Sequence, residues 1–266
     1  MTERQPGLDG ASVIITGAAR GQGALEAELI AASGAYVVIT DVLEEQGQDV
    51  AAKIVSAGAK ATFVPLDVTD ARGWERVVRR TLETTGRIDA LVNNAGIAAT
   101  ARLGELDLDT FKRVMEINVF GAVLGINAVS PAMVERGAGS IVNVASIAGQ
   151  TAWPSASYSM SKWAMTGLTK IASLELGPRG VRVNSVHPGV IDTEFAASMS
   201  DELRQNYVNA TPMGRIGRSE DVAPLVAFLC SSSSQYVSGT AISVDGGLIG
   251  AGAVHSVFSR LSSDAR

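Results

Sequence analysis

The chain is predicted to fold as a single α/β domain on a doubly wound, seven-stranded parallel sheet. Three observations predict it. Short apolar runs rich in β-branched residues recur along the whole length, segments of helical period separate them, and the alternation never breaks. The runs are also nearly continuously apolar, as strands covered on both faces should be.

The strands are read in order at "ASVIITG" (11 to 17), "AYVVITD" (35 to 41), "ATFVPLD" (61 to 67), "DALVNNAG" (89 to 96), "SIVNVAS" (140 to 146), "VRVNSVHPG" (181 to 189) and "AISVDGG" (241 to 247). Between them, segments such as "GALEAELIAASG" and "LEEQGQDVAAKIVSAG" carry alanine-rich periodic faces and stop at glycine, which ends helices without steric cost. Right-handed crossovers then place the helices on both faces of the sheet. One domain covers 1–266, and "SSSS" at 231 to 234 reads as a loop after a helix.

Composition narrows the function. The formal net charge is −5 and the 22 basic residues are scattered, so neither nucleic acid nor an anionic membrane is expected as a partner. The polar N-terminus lacks a signal-peptide core, and no run is read as a membrane span; a cytoplasmic protein acting on a small molecule is expected. Cys230, the only cysteine, lies in the apolar run "VAPLVAFLC" and is expected to be buried; it leaves no intrachain disulfide and no cysteine-cluster metal site.

"TGAARGQG" follows the first strand directly, so Gly17, Gly21 and Gly23 fall where the chain turns into the first helix. Such a turn lets backbone N–H groups and a helix N-terminus approach a pyrophosphate, with Arg20 and Gln22 beside it. Asp41 ends the second strand and Val42 follows. A carboxylate there accepts from ribose hydroxyls and repels a 2′-phosphate, which favours NAD over NADP, although it could equally cap the next helix. Arg20 points the other way, but no base follows Asp41 to complete a phosphate site. Asp67 and Val68 end the third strand, facing adenine or capping a helix, and Asn94, Ala95 and Gly96 in "NNAG" border the same cleft.

Ser146 ends the fifth strand, and Tyr158 and Lys162 in "YSMSK" stand four apart on one helix face. A phenol has an ordinary pKa of about 10, which a nearby ammonium and a cationic nicotinamide would lower, making tyrosine usable as acid and base. Neither histidine is needed. His187 is read as structural or part of the cleft wall, and His255 lies in the tail.

Taken together, "TGAARGQG", "DV" at 67 and 68, "NNAG", Asn118 in "EINVFG", Ser146, "YSMSK", "RVNSVHPG" and "VDGG" resemble, in order, the short-chain dehydrogenases/reductases, over residues 8 to about 249. The resemblance implies a Rossmann-like fold, a tetramer, Tyr158 as acid/base, Ser146 as donor to the substrate oxygen, Lys162 on the nicotinamide ribose and Asn118 holding a water. It also places Pro188, Gly189, Ile191 and Thr193 against the nicotinamide amide and phosphates. Further stretches, "TPMGRIG" among them, look similar to bacterial NAD-dependent hydroxysteroid dehydrogenases of the 3α/20β type.

The expected activity is hydride transfer between NAD(H) and a secondary alcohol or ketone, on a steroid or other bulky alicyclic substrate. Alternatives are an NADPH-dependent 3-oxoacyl-carrier-protein reductase, disfavoured by Asp41 and the acidic balance, and a non-catalytic dinucleotide sensor, disfavoured by the complete tetrad. Residues 190–216 read as a substrate lid with Phe195, Met199, Tyr207 and Met213 on its inner face and Trp153 opposite. "QTAWPSAS" departs from many relatives in length, which leaves the shape of that wall open. Residues 250–266 form a tail, either packed across a subunit boundary or disordered.

Overall fold

The structure is a computed structural model that describes residues 4–193 and 199–263, with side chains in the last helix described as far as Ser256. Seven strands, β1 Ser12–Thr16, β2 Tyr36–Asp41, β3 Lys60–Pro65, β4 Ala90–Asn93, β5 Gly139–Val144, β6 Val181–Pro188 and β7 Ala241–Val244, form one sheet in the order β3-β2-β1-β4-β5-β6-β7. Every neighbouring pair is parallel. Strands β3 and β5 begin one residue before the segments read from sequence, and the other five lie within them.

The helices are α1 Gly21–Ala32, α2 Glu44–Ser56, α3 Ala71–Thr85, α4 Leu108–Met115, α5 Gly121–Arg136, α6 Ala156–Leu176, α7 Asp201–Ala210, α8 Ser219–Cys230 and α9 Leu248–Ser263. Strand periodicity divides the apolar residues between two cores. Val13, Ile15, Val37, Ile39 and Val92 pack with α1, α2 and α8 on one face. Ile14, Val38 and Leu91, between them in sequence, pack with α3, α5 and α6 on the other. The central strands β1 and β4 are therefore wholly buried, whereas the edge strands β3 and β7 are half-exposed and carry Lys60 and Ser243.

A single π-helical turn, Glu116–Phe120, joins α4 to α5. The continuous helix Leu108–Arg136 is long and apolar enough to cross a membrane, which reading the sequence for apolar runs did not anticipate. Its inner residues Val114, Val119, Ile126, Val129 and Met133 are buried, as expected of the core helix of a sheet-based domain. The first part of the tail is helical: a Cβ on Gly252 would come within 2.7 Å of the Ala210 carbonyl, so α9 crosses close to the end of α7. Cys230 is buried as expected, and the serine run holds a 3₁₀ turn at Ser232–Ser234.

Candidate active site

The strand order reverses between β1 and β4, and the carboxyl ends of these strands open into a cleft. Its first cavity, about 430 Å³, is lined by Gly17, Arg20, Gly21, Gln22, Gly23, Asp41, Val42, Asp67, Val68, Asn94, Ala95, Gly96 and Thr193, all expected from sequence. Leu43, Leu66, Ile97, Arg113 and Ile117 also line it, and these were missed. The turn has no room for side chains at Gly17 and Gly23. A Cβ on Gly17 would lie 2.7 Å from Ala95 Cα, and one on Gly23 would lie 2.4 Å from the Gly17 carbonyl and 2.5 Å from Asn94 Nδ2.

Asn94 clamps this turn rather than merely bordering the cleft, since its Nδ2 donates to the carbonyls of Thr16 and Gly17, each at 2.9 Å. Thr16 Oγ1 in turn accepts from the Asn94 and Ala95 amides at 3.1 and 3.0 Å. Asn93 turns away, and its Nδ2 donates to buried Asn143 at 2.9 Å. The first turn of α1 carries no acid, and its N-cap residue supplies no capping side-chain bond. By contrast α3, α4 and α7 are capped by Asp70, Asp107 and Ser200. Uncapped N–H groups at a glycine turn suit a dinucleotide pyrophosphate.

Asp41 does not cap α2, whose N-cap is Leu43. Its two carboxylate oxygens accept from the Ala19 amide at 3.0 Å and the Leu43 amide at 3.1 Å, which fixes the group at the cleft rim. Asp67 is likewise no cap, because Asp70 occupies that position in α3. Partial burial raises the Asp67 pKa, but two bonds from Thr69 and the Arg113 charge outweigh it, leaving the carboxyl below its ordinary value. Val68 is held from behind, its carbonyl accepting from the Trp74 indole N–H at 2.9 Å.

A second cavity of about 310 Å³ continues the cleft over β5 and β6, lined by Ser146, Trp153, Tyr158, Lys162, Pro188, Gly189, Ile191, Thr193 and Met199 among others. Ala98, Val144, Ala145, Ile147 and Val190 complete it and were not foreseen. Ser146 and Tyr158 face the same cavity, and Ser146 Oγ accepts from the Ala148 amide at 3.2 Å. Lys162 Nζ lies 5.5 Å from the Tyr158 ring centroid and donates to the Val144 carbonyl at 2.9 Å.

Burial pushes Tyr158 above its ordinary value of 10, with Ser146 only partly offsetting it; the lowering expected from Lys162 is not seen in the chain alone. Burial also pushes the Lys162 pKa down to about 8, because the charged form is costly away from water. Asn118, in the π turn, accepts from the Ile97 amide at 2.8 Å and donates to the Ile97 carbonyl and to Ser161 Oγ. Its polar atoms are thus engaged in pinning the strand exit beside Gly96, and Asn118 itself lines neither cavity.

His187 is fully buried beneath Ser146. Its Nδ1 lies 2.7 Å from the Ser146 carbonyl and must donate, so Nε2 accepts from Ser185 Oγ at 2.8 Å. Burial, joined by the Lys162 charge against the opposing Ser146 bond, holds this imidazole below its ordinary value and neutral. At the outer end, Trp153 and Tyr207 stack with centroids 5.6 Å apart and planes inclined by 10°. Met213 is exposed and lines neither cavity. Phe195 lies outside the described residues.

Comparison with known proteins decides the family. Residues 17–249 match the family described as enoyl-(acyl carrier protein) reductase. A short-chain type dehydrogenase/reductase from Mycobacterium marinum superposes with a TM-score of 0.86 at 34% identity, over 91% of this chain and 96% of that one. The chain is a short-chain dehydrogenase/reductase.

Two named members of this family are close in sequence. Trans-4-hydroxycyclohexanecarboxylate dehydrogenase of Sinomonas cyclohexanicum is 41% identical over 88% of this chain and 91% of its own length. The 3-alpha-(or 20-beta)-hydroxysteroid dehydrogenase of Mycobacterium tuberculosis is 38% identical over 94% of both. This short-chain dehydrogenase/reductase is an oxidoreductase of the kind that acts on CH–OH groups and takes a nicotinamide dinucleotide. The cradle fits that group, since Gly17 and Gly23 leave no space for a Cβ and the α1 amides stand uncapped beside them.

Proposed function

We propose that the chain is an NAD(H)-dependent dehydrogenase acting on a secondary alcohol or ketone carried by a ring. The observation that supports it best is the convergence of Ser146, Tyr158 and Lys162 on one cavity that runs into the glycine cradle beside Asp41. When bound, the dinucleotide supplies or accepts the hydride at its nicotinamide.

The chain's residues do the rest. Ser146 donates to the substrate oxygen, and Tyr158 gives that oxygen a proton in reduction or takes it in oxidation. In the chain alone Tyr158 is held protonated by burial, so it is poised as the acid. Lys162 reaches the ribose and supplies positive charge beside the phenol, while Asn118 keeps Ile97 and Gly96 in line. Asp41, already oriented by two backbone amides, accepts from the adenosine ribose hydroxyls and repels a 2′-phosphate.

The cyclic substrate rests on the two named relatives and on the apolar wall formed by Ile147, Trp153 and Met199. We further infer a cytoplasmic homotetramer. Met160, Trp163, Ile171 and Leu174 form an exposed apolar stripe at helical spacing on α6, with Phe120 exposed at the π turn, and such a stripe is the mark of a subunit boundary.

Fluorescence titration tests the cofactor assignment. NADH should bind at least about 10-fold more tightly than NADPH, and Asp41→Ala should abolish the difference. Equal affinities in the unaltered chain would contradict the role given to Asp41.

A further inference from the structure

We propose that the cleft takes an uncharged cyclic alcohol or ketone and rejects one that carries a carboxylate. The inference rests on the dehydrogenase reading above and concerns the far end of the same site. Away from the glycine turn, the second cavity is walled by Ile97, Ala98, Ala145, Ile147, Trp153 and Met199. None of these carries a charge, and only the Trp153 indole N–H among their side chains can donate a hydrogen bond.

Lys162 is the only base among the described residues lining that cavity, and it sits beside the reacting oxygen with Nζ bonded to the Val144 carbonyl. A substituent across a six-membered ring held by its oxygen at Tyr158 lies a ring's width away from it. Arg20 and Arg113 line the other cavity, at the dinucleotide end. On the lid side, Arg204 pairs with Asp192 at 2.7 Å and Arg215 with Asp221 at 2.6 Å.

The stacked Trp153 and Tyr207 sharpen the discrimination. Aromatic faces carry negative quadrupole density, which suits the C–H edges of a neutral ring and repels an anion. A carboxylate placed against this wall would be stripped of water and left without a cationic partner, an arrangement that binding sites avoid. The Sinomonas relative is named for a carboxylated cyclohexanol, so the inference separates this chain from a relative at 41% identity.

The test is a steady-state comparison on the full chain with NAD at pH 7. The alcohols are both isomers of 4-hydroxycyclohexanecarboxylate, their methyl esters, 4-methylcyclohexanol and a neutral steroid alcohol. The esters or other neutral members should exceed the carboxylates by about 100-fold or more in kcat/KM. Turnover confined to neutral members, whatever the ring size, upholds the inference. Carboxylates used as well as their esters, or better, overturn it and leave the dehydrogenase reading standing. Silence with every alcohol and either dinucleotide overturns that reading, and this inference with it.

Discussion

Replacing Glu26 by Gln should remove a pH-dependent weakness built into α1. Glu26 is fully buried, its Oε1 accepts from Gln22 Nε2 at 2.9 Å, and its Oε2 has no partner. Burial, opposed only by the Gln22 bond, pushes its carboxyl up from 4.5 to about 8. The folded chain therefore keeps a proton that the unfolded chain has released, and stability falls as pH rises through this window. It is fully present below pH 4.5 and lost by the time pH passes the folded value.

Each pH unit inside the window is worth about 1.4 kcal/mol, so the chain should lose roughly 3 to 4 kcal/mol between pH 5 and pH 8 through this one group. The lowered carboxyls Asp67, Asp89 and Asp221 titrate below their ordinary value of 3.8, outside this range. Urea unfolding at pH 5, 6, 7 and 8, at one protein concentration, reads the effect. Glu26→Gln keeps the acceptor for Gln22 and should flatten the curve, so that its advantage over the parent grows by about 3 kcal/mol toward pH 8. Parallel curves for the two proteins would refute the reasoning, because they would mean that the fold does not hold the Glu26 proton.

Two other substitutions follow from the same kind of geometry. Lys162, with its folded value near 8 and its ordinary value at 10.5, binds fewer protons folded than unfolded between those limits, so its contribution to stability rises with pH there. Lys162→Met should lack that rise, about 2 kcal/mol between pH 8 and pH 10, in the same unfolding assay carried to pH 10, and should show no turnover. Gly23→Ala puts a methyl group 2.4 Å from the Gly17 carbonyl and should cost about 1 to 3 kcal/mol in stability and at least about 10-fold in NADH affinity by titration.

The fold was legible because the central strands bury both faces, so apolar runs such as "SVIIT" stand out even though their residues enter two different cores. Residues of the cleft at or just beyond strand ends, Gly17, Asp41 and Gly96 among them, were legible from that place. Backbone satisfaction was not. That Asn94 holds the Gly17 carbonyl and Asn118 holds Ile97 depends on partners distant in sequence, for which a chain read in order gives no signal. His187 was read as structural or part of the cleft wall, and the structure makes it structural; which partner it holds, the Ser146 carbonyl, depends on β5 and β6 being neighbours in the sheet. For Tyr158 in the chain alone, burial, which comes from the whole fold, outweighs the pull of its neighbours, a balance that counting nearby charges in the sequence does not reveal.

The central claim is that Tyr158 moves the proton while the rest of the site binds and orients. Single-turnover hydride transfer from NADH to a cyclic ketone, in Tyr158→Phe and in the unaltered chain, tests it most directly. The account predicts a loss of at least about 1000-fold in rate with NADH affinity unchanged within about twofold. A variant that transfers hydride at the parent rate would contradict it.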